Sequence, residues 1–240
     1  MDEKEFFDQI QEKGEVLNIF FSVEQKSKFY KYMQMLLEWN NKINLTAITI
    51  PEEMILKHFI DSLTIYKKLT RGAKIIDVGT GAGFPGIPLA IIDENLKITL
   101  NDSLNKRLIF LTEVKKQLKL DNIEIIHARA EEIGQNKKYR EKFDYATSRA
   151  VANLSTLSEY LLPLVKINGK CICMKASNIE EELNQAQNAI KVLGGEVTDI
   201  EKFKLPQSDI DRTIITISKT KNTPNKYPRK AGTPSKDPIK

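Results

Sequence analysis

The chain has 240 residues, of which 41% are hydrophobic and 29% are charged, and its formal net charge is +5. This composition is ordinary for a soluble globular protein, and the length allows one sizeable domain with an extension. No apolar run approaches the ~20 residues that a membrane span needs. The acidic N-terminus MDEKEFFDQI also lacks the basic and then apolar pattern of a secretory signal. We therefore expect a cytoplasmic protein with no membrane partner.

The basic character is concentrated at the C-terminus. Residues 219–240 contain seven Lys or Arg and one Asp, so the other 218 residues carry a net charge of −1. Residues 222–240 also contain four prolines and no apolar run. This composition predicts an extended, poorly ordered basic tail over residues 221–240.

An N-terminal helical extension is predicted over residues 1–70. Residues 3–13 can form a short helix. A stronger helix follows, because Ser22 and Gln25 fit a capping box and apolar side chains then recur at helical spacing. Residues 51–68 form a further helical segment, which begins at a proline.

Strand and helix patterns alternate after residue 71. The predicted strands are Lys74–Val78, Lys97–Leu100, Glu124–His127, Phe143–Ser148, Lys170–Lys175, Val197–Phe203 and Arg212–Ser218. The last two are too close for a crossover helix and must be antiparallel. The pattern predicts an α/β domain over residues 71–220, with a Rossmann-like, mostly parallel seven-stranded sheet and an antiparallel last strand.

The Gly-rich turn after the first strand is the clearest sign of a ligand site. Gly79, Gly81 and Gly83 follow the apolar strand Lys74–Val78 at alternate positions, and a helix begins near Ile87. Glycine permits a tight turn and lets a ligand lie against bare backbone. The alternative is a Gly-rich turn that binds no ligand.

The spacing of the glycines indicates which cofactor to expect. A dinucleotide fingerprint would have glycine at position 84, where this chain has Phe84, and an acid at Asp77 would repel a pyrophosphate. Asp77 instead suits a ligand with a cationic amine. The pattern D-x-G-x-G-x-G resembles motif I of class I S-adenosylmethionine methyltransferases.

Further candidate residues follow the other strands, where this fold binds its ligands. Asp102, followed by Ser103, stands where an acid can accept hydrogen bonds from ribose hydroxyls, or it can cap the next helix. Glu131 can read an adenine edge, or it can favour a helix N-terminus. Arg149 can bind a carboxylate or phosphate near the reacting groups, or it can pair with a surface acid.

His58 and Asp61 lie three residues apart in the third helical segment. This spacing puts both side chains on one helix face. They can contact the substrate, or they can form a local hydrogen bond, and residue type alone favours the second interpretation.

Over nearly its whole length the chain resembles the small-subunit (16S) ribosomal RNA guanine-N7 methyltransferases, also called the glucose-inhibited division protein B family. The segments that carry the resemblance are Trp39–Asn40, Asn44–Ile48, His58–Leu63, DVGTGAGFPGIPLAI at Asp77–Ile91, DSLNKR at Asp102–Arg107, RAE at Arg129–Glu131, SRAVANL at Ser148–Leu154 and Thr223–Lys240.

The resemblance implies an S-adenosylmethionine-dependent enzyme that methylates N7 of a guanine in 16S ribosomal RNA. It implies cofactor contacts at Gly79, Phe84, Ala130, Glu131 and Arg149. We expect the partner to be ribosomal RNA or the small ribosomal subunit, and the protein to be a monomer.

The expected chemistry needs neither a general base nor a metal, because guanine N7 has a lone pair and no proton to lose. Methyl transfer to a pyrimidine carbon would need a cysteine nucleophile. Cys171 and Cys173 lie inside the fifth predicted strand, where reduced structural thiols are expected. Methyl transfer to an adenine amine would be accompanied by an Asn/Asp-Pro-Pro-aromatic run after strand four, where this chain reads SRAV.

The tail is the second predicted contact with the substrate. Lys226, Arg229 and Lys230 are predicted to bind RNA phosphates, as are Arg149 and His58 nearer the cofactor, and Tyr227 offers a ring for base stacking. The alternative is a solvated end that aids solubility. Two other functions stay open on the sequence, namely a methyltransferase for a small metabolite or protein, and a ribosome assembly factor with a vestigial cofactor pocket.

Overall fold

The computed structural model describes residues 1–149, 152–176 and 179–240. Its strands are β1 (Lys74–Val78), β2 (Lys97–Asp102), β3 (Ile123–His127), β4 (Phe143–Arg149), β5 (Val165–Lys175), β6 (Gly195–Lys204) and β7 (Asp211–Lys219). They form one seven-stranded sheet in the order β3-β2-β1-β4-β5-β7-β6. Within the described ranges, no helix combines the length and apolarity required to cross a membrane.

The sheet is parallel except at one end. The pairs β1–β2, β1–β4, β2–β3 and β4–β5 are parallel, whereas β7 lies between β5 and β6 and is antiparallel to both. The predicted fold class is confirmed, including the antiparallel pair at the end of the chain. The carboxyl ends of β1, β2, β3 and β4 consequently meet at one edge of the sheet, which is where the site lies.

Helices cover both faces of the sheet. The helices are α1 (Glu3–Val16), α2 (Val23–Asn40), α3 (Pro51–Met54), α4 (Asp61–Leu63), α5 (Gly86–Ile92), α6 (Asn105–Leu118), α7 (Ala130–Gln135), α8 (Leu154–Leu161), α9 (Glu180–Val192) and α10 (Thr233–Lys236). A π-helical turn, Ile55–Ile60, joins α3 to α4. Neighbouring residues of β1 belong to different cores, since Ile75 packs with α1–α6 and Ile76 packs with α7–α9.

The N-terminal helices share a core with the sheet. The predicted capping box is present at the start of α2, where Ser22 Oγ accepts from the Gln25 amide (3.2 Å) and Gln25 Oε1 accepts from the Ser22 amide (2.9 Å). Tyr32 of α2 is fully buried and donates to the Ala82 carbonyl in the Gly-rich loop (2.5 Å). This hydrogen bond attaches the Gly-rich loop to α2.

Strand β5 is longer than predicted. The sequence places its start at Lys170, whereas the strand begins at Val165. Its first half contains Asn168 in a left-handed conformation (φ 67°), and the pairing with β4 shifts register between Phe143 and Tyr145. A bulge of this kind breaks the period-two pattern on which a sequence prediction depends.

The prediction of a poorly ordered tail is wrong. Residues 223–237 lie against α7 and α8, and Tyr227 is buried in the core on that face. Pro228 packs so closely on α7 that a Cβ at Gly134 would lie 2.7 Å from Pro228 Cγ. The partners of the tail are distant in sequence, and composition alone does not reveal such partners. The ring of Tyr227 is therefore not available to stack on an RNA base.

Candidate active site

A cavity of about 550 Å³ opens at the carboxyl ends of the parallel strands. Its floor is the Gly-rich loop after β1, and its sides are the ends of β2 and β4 and the first turn of α7. Two segments from elsewhere in the chain complete it, residues 45–46 on one side and Gly232 with Ser235 on the other. These four residues were not predicted as site residues, although the segments that contain them, Asn44–Ile48 and Thr223–Lys240, carry part of the family resemblance.

The glycines of the loop divide into two roles. Gly79 (φ 68°) and Gly81 (φ 62°) line the cavity, and a Cβ at Gly81 would meet open space, with Gly79 O the nearest atom at 4.0 Å. Gly83 (φ 106°) does not line the cavity, and a Cβ there would lie 2.9 Å from Tyr32 Oη and 2.9 Å from Leu111 Cδ2. The missing side chain of Gly81 leaves space for a ligand, whereas the missing side chain of Gly83 leaves space for the core side chains of Tyr32 and Leu111.

Asp77 lies beneath the loop and is fully buried. Its Oδ2 accepts hydrogen bonds from Thr80 Oγ1 (2.6 Å) and from the Gly86 amide (2.9 Å), which fixes the turn. Its Oδ1 has no hydrogen-bond partner among the residues described. Burial raises the pKa of Asp77 to about 6, although both hydrogen bonds oppose the shift. Asp77 is not part of the cavity wall, so any contact with a cationic amine would have to be made through this buried Oδ1.

Asp102 holds the loop and the next helix together. Its Oδ2 accepts from the Gly81 amide (2.9 Å) and from Arg107 Nη1 (3.2 Å), and its Oδ1 accepts from the Leu104 amide at the start of α6 (2.9 Å). The carboxylate lines the cavity, which is compatible with the predicted contact to a ribose. It does not cap α6, whose N-cap residue is Leu104, but it fixes the turn that precedes the helix. Ser103 lines the cavity beside it.

Ala130 and Glu131 form the start of α7 and line the cavity opposite the loop. Glu131 is 6% exposed, and its Oε1 accepts a hydrogen bond from the Gly232 amide (2.7 Å). A carboxylate at this place can accept hydrogen bonds from an amine or a hydroxyl group of a ligand.

Arg149 is the centre of a polar cluster at the other end of the cavity. Its Nη1 donates to the Lys57 carbonyl (2.9 Å) and lies 3.4 Å from Asp61 Oδ2. Its guanidinium carbon lies 4.7 Å from the centre of the Phe84 ring, which is a cation–π distance. Asp61 is buried and also accepts from Arg212 Nε (3.1 Å). The predicted pairing of Arg149 with an acid is therefore found, but the acid is a buried one.

His58 belongs to the same cluster and its tautomer follows from its partners. Arg149 Nη2 lies 3.1 Å from His58 Nδ1, and because arginine has only donors, Nδ1 must accept. Nε2 then carries the proton and donates to Thr46 Oγ1 (2.8 Å), which also accepts from the Ile48 amide (3.0 Å). The Thr46 hydroxyl proton is thus left to donate to another acceptor, and Thr46 lines the cavity.

The imidazole of His58 is neutral at physiological pH. Burial and the positive charge of Arg149 lower its pKa from 6.5 to about 3. The ring also stacks on Phe84, with centroids 4.4 Å apart and planes at 19°. His58 therefore does not supply a proton-accepting group that titrates near neutrality, since its Nδ1 already accepts from Arg149.

The cavity fits S-adenosylmethionine. Open space over Gly81 offers bare backbone to the ligand, and the carboxylates of Asp102 and Glu131 offer acceptors for hydroxyl and amine groups. The unpartnered Oδ1 of Asp77 is the kind of buried acceptor that a ligand cation or an ordered water satisfies. The described residues include no group of three or more His, Cys, Asp or Glu side chains placed to hold a metal ion.

The tail residues predicted to bind RNA lie outside this cavity. Lys226 and Lys230 are exposed, and Lys226 Nζ lies 5.2 Å from the centre of the Tyr227 ring. Arg229 instead makes a bidentate pair with the buried carboxylate of Glu159, with Nε–Oε1 at 3.0 Å and Nη2–Oε2 at 2.8 Å. The guanidinium of Arg229 is thus already used inside the protein.

The two cysteines lie inside β5, as predicted. Cys171 and Cys173 are buried and free, as expected for structural thiols. Burial raises the pKa of the Cys173 thiol to about 12, so it remains protonated at neutral pH. Of the predicted SRAVANL run, Ala150 and Val151 lie outside the described residues.

Comparison with known proteins shows the family of this chain. The sequence profile of the GidB family, described as rRNA small subunit methyltransferase G, matches residues 25–214. A relative from Alkaliphilus oremlandii (strain OhILAs), named ribosomal RNA small subunit methyltransferase G, is 53% identical over 238 residues, which cover 98% of this chain and 100% of that protein. A relative of the same name from Geobacillus sp. (strain WCH70) is 49% identical over 241 residues and covers 100% of both chains.

Solved structures agree on the fold. A SAM-dependent methyltransferase from Aquifex aeolicus superimposes with a TM-score of 0.53 at 16% sequence identity, covering 75% of this chain and 97% of that one. Identity this low shows a shared fold alone, whereas the sequence relatives show the family. The chain belongs to the rRNA small subunit methyltransferase G (GidB) family and is an S-adenosylmethionine-dependent methyltransferase.

Proposed function

We propose that this enzyme methylates N7 of a guanine in 16S ribosomal RNA. The observation that carries the proposal is the chemistry of the cavity beside Phe84. Among the described residues, His58 and Arg149 are the ionisable groups that line that end, and each is already engaged, by the other or by backbone and the buried Asp61. A site of this kind suits an acceptor atom that attacks through a lone pair and loses no proton.

The cofactor, when bound, supplies an electrophilic methyl group on a sulfonium. The protein then has to bind and orient the cofactor and the acceptor base, and to exclude water. Positioning alone can account for ~7–11 kcal/mol of barrier lowering in favourable cases. Asp102 and Glu131 would hold the nucleoside part of the cofactor, and Gly79 and Gly81 would let its chain lie against backbone. These roles rest on position in the cavity and on the chemistry of the side chains.

The acceptor end is the region around Phe84. The imidazole of His58 stacks on the Phe84 ring, and the guanidinium of Arg149, which donates to that imidazole, lies 4.7 Å from the ring centre. A cationic and aromatic surface suits a purine, because a flat base can stack and its phosphate can pair with a cation. The Thr46 hydroxyl adds a donor on the same wall. The names of the relatives support a ribosomal RNA substrate for this chain.

The test is methyl transfer to ribosomal RNA taken from cells that lack this gene. Purified protein and isotopically labelled S-adenosylmethionine are incubated with small subunits and, separately, with naked 16S RNA. Borohydride and aniline cleavage, which reports N7-methylguanine, then maps the product. One cleavage site that requires active protein is the expected result. Label in protein or in a small molecule, with none in RNA, would favour a different methyltransferase. Cofactor binding without any transfer would favour an assembly factor.

A further inference from the structure

The C-terminal segment reaches the same cavity as the Gly-rich loop. Gly232 and Ser235 line it together with Glu131, although they follow Glu131 by about a hundred residues in the sequence. We propose that residues 229–236 are a fixed wall of the cofactor pocket, and that the Gly232 amide positions the Glu131 carboxylate to bind the cofactor. This inference rests on the proposed placement of the cofactor in that cavity.

The hydrogen bond between Gly232 and Glu131 is placed to orient the carboxylate. The Gly232 amide donates to Oε1 at 2.7 Å, and Oε2 has no hydrogen-bond partner within the described ranges. Glu131 is 6% exposed, so few of its rotamers are open to it. One oxygen is therefore held by the tail and the other is left for a ligand. Without the hydrogen bond from Gly232, neither oxygen of this buried carboxylate would be fixed, and both would depend on the same ligand donors for a partner.

Anchors on both sides of Gly232 hold the segment in place. Before it, the Arg229 amide and guanidinium donate to Glu159, which is fully buried. After it, the Pro234 carbonyl accepts from Thr156 Oγ1 (2.8 Å), which is also buried. Both partners of these anchors, the acceptor Glu159 and the donor Thr156, lie on α8, so the wall is attached to the face of the domain that carries α7. The segment between the anchors is short, and Gly232 has little freedom to move away from Glu131.

Gly232 itself adopts a conformation that glycine favours. Its φ is +82°, and a Cβ at this position would meet no atom within 4 Å. An alanine there introduces backbone strain without a clash. Strain at this point weakens the docked state of the wall relative to an undocked one. Because Gly232 lines the cavity, the added methyl group also takes space from the ligand, and tryptic cleavage of the tail reports docking separately from that effect.

Docking of the tail and binding of the cofactor are thermodynamically linked, so each can be measured through its effect on the other. If the docked tail raises cofactor affinity, the bound cofactor must stabilise the docked tail by the same factor. The accessible bonds after Lys230 and Lys236 report docking, because both lysines are exposed and lie on either side of Gly232. Trypsin should cleave there more slowly when the pocket is filled.

The experiment measures S-adenosylhomocysteine binding by titration calorimetry in three variants. Gly232→Ala is expected to weaken binding three- to tenfold, and a chain that ends after Lys230 is expected to weaken it at least tenfold. Gly72→Ala is the matched control, since Gly72 also has a positive φ (+74°) and open space at its Cβ position, but lies outside the cavity. It should bind as the wild type does. In parallel, S-adenosylhomocysteine should slow tryptic cleavage after Lys230 in the wild type.

The outcomes separate this inference from the proposed site. Wild-type affinity in both a folded Gly232→Ala variant and the truncated chain would overturn the inference, as would cleavage rates that the ligand does not change. If the truncated chain fails to fold, the comparison of Gly232→Ala with Gly72→Ala decides. Should Asp102→Ala abolish binding while the tail variants retain it, the cofactor site stands and the tail is not part of it. Unchanged binding in Asp102→Ala would instead contradict the site itself.

Discussion

Arg149 donates to Nδ1 of His58 across 3.1 Å, and this contact fixes the tautomer of the imidazole. The arginine cannot accept, so His58 is neutral with its proton on Nε2. Burial acts in the same direction and brings the pKa to about 3. The three-residue spacing of His58 and Asp61 in the sequence therefore corresponds to a fixed donor–acceptor chain, in which the ring orients Thr46 and does not exchange protons near neutrality.

Single-turnover methyl transfer should consequently be independent of pH from about 7 to 8, above the pKa of about 6 of the Asp77 carboxyl under the loop. The imidazole of His58 does not change charge in that range, and N7 of guanine needs no base. Quench measurements with saturating cofactor provide the rates. The variant His58→Gln should leave the profile flat even if it lowers the rate. A limb with a pKa near 7 that disappears in this variant would contradict the neutral assignment of His58.

Stability should respond to the same group with a defined sign. The pKa of His58 is lower in the folded protein than its ordinary 6.5, so the unfolded chain binds more protons between pH 3 and 6.5. The contribution of His58 to the free energy of unfolding therefore falls as the pH falls below 6.5, by at most about 1.4 kcal/mol per pH unit. Urea unfolding of wild type and His58→Gln at several pH values measures it.

The effect of His58 is measured as the difference in the free energy of unfolding between wild type and His58→Gln at each pH. Asp77 has a raised pKa of about 6 against an ordinary 3.8, so the folded protein binds more protons there. Its contribution has the opposite sign and is present in both proteins. A difference in unfolding free energy that is constant from pH 4 to 7 would contradict the prediction for His58.

Cofactor affinity should depend on Asp102. Asp102→Ala removes the acceptor proposed for the ribose, and we expect a loss of ~1.5–3 kcal/mol in binding, the range for hydrogen bonds to a charged group. The same carboxylate also accepts from Gly81 and Leu104, so part of the loss would come from a looser loop. Asp102→Asn keeps an acceptor oxygen and should lose less. Calorimetry with S-adenosylhomocysteine distinguishes the two variants, and equal affinity in all three proteins would contradict the assignment.

Gly81 and Gly83 should respond differently to alanine. Both have positive φ, which costs an alanine roughly 1–2 kcal/mol. At Gly81 the new methyl group would enter the cavity, so the variant should fold and lose cofactor binding. At Gly83 the methyl group would lie 2.9 Å from Tyr32 and Leu111, and overpacking adds ~1–3 kcal/mol to the strain. Thermal unfolding and ligand titration of both variants would show this separation, and similar effects in both assays would refute it.

The parts of this molecule that depend on local pattern were predictable from sequence. The seven strands, the capping box at Ser22 and the antiparallel end of the sheet follow from periodicity, residue type and connection length. The contacts of Asp61 with Arg212 and of Glu131 with Gly232 do not, because each joins segments about a hundred or more residues apart. The low apolar content of the tail predicts disorder, but its backbone groups have distant partners. Arg140 donates to the carbonyls of Thr223 and Tyr227 (both 2.7 Å), and Glu159 accepts from the Arg229 amide (2.7 Å).

The position of Arg229 changes how RNA binding should be tested. On sequence alone Arg229 and Lys230 form a natural pair to mutate, with an expected fall in RNA affinity. In the structure Arg229 neutralises Glu159, whose side chain is 1% exposed, whereas Lys230 is exposed. Removal of one partner from a buried pair costs ~3–5 kcal/mol. Arg229→Ala should therefore lower the free energy of unfolding by an amount of that order, and Lys230→Ala should leave it nearly unchanged.

RNA binding should instead be tested with Lys226→Ala and Lys230→Ala together. Both side chains are exposed on the tail, and loss of two phosphate contacts should weaken RNA binding and lower the slope of log affinity against log salt by roughly 1–2. Filter binding to a 16S RNA fragment across a potassium chloride series measures the slope. Lys4→Ala with Lys166→Ala, a charge-matched pair outside the tail, serves as the control. Equal slopes in the two double variants would show that the tail lysines do not contact RNA and that the tail serves the domain alone.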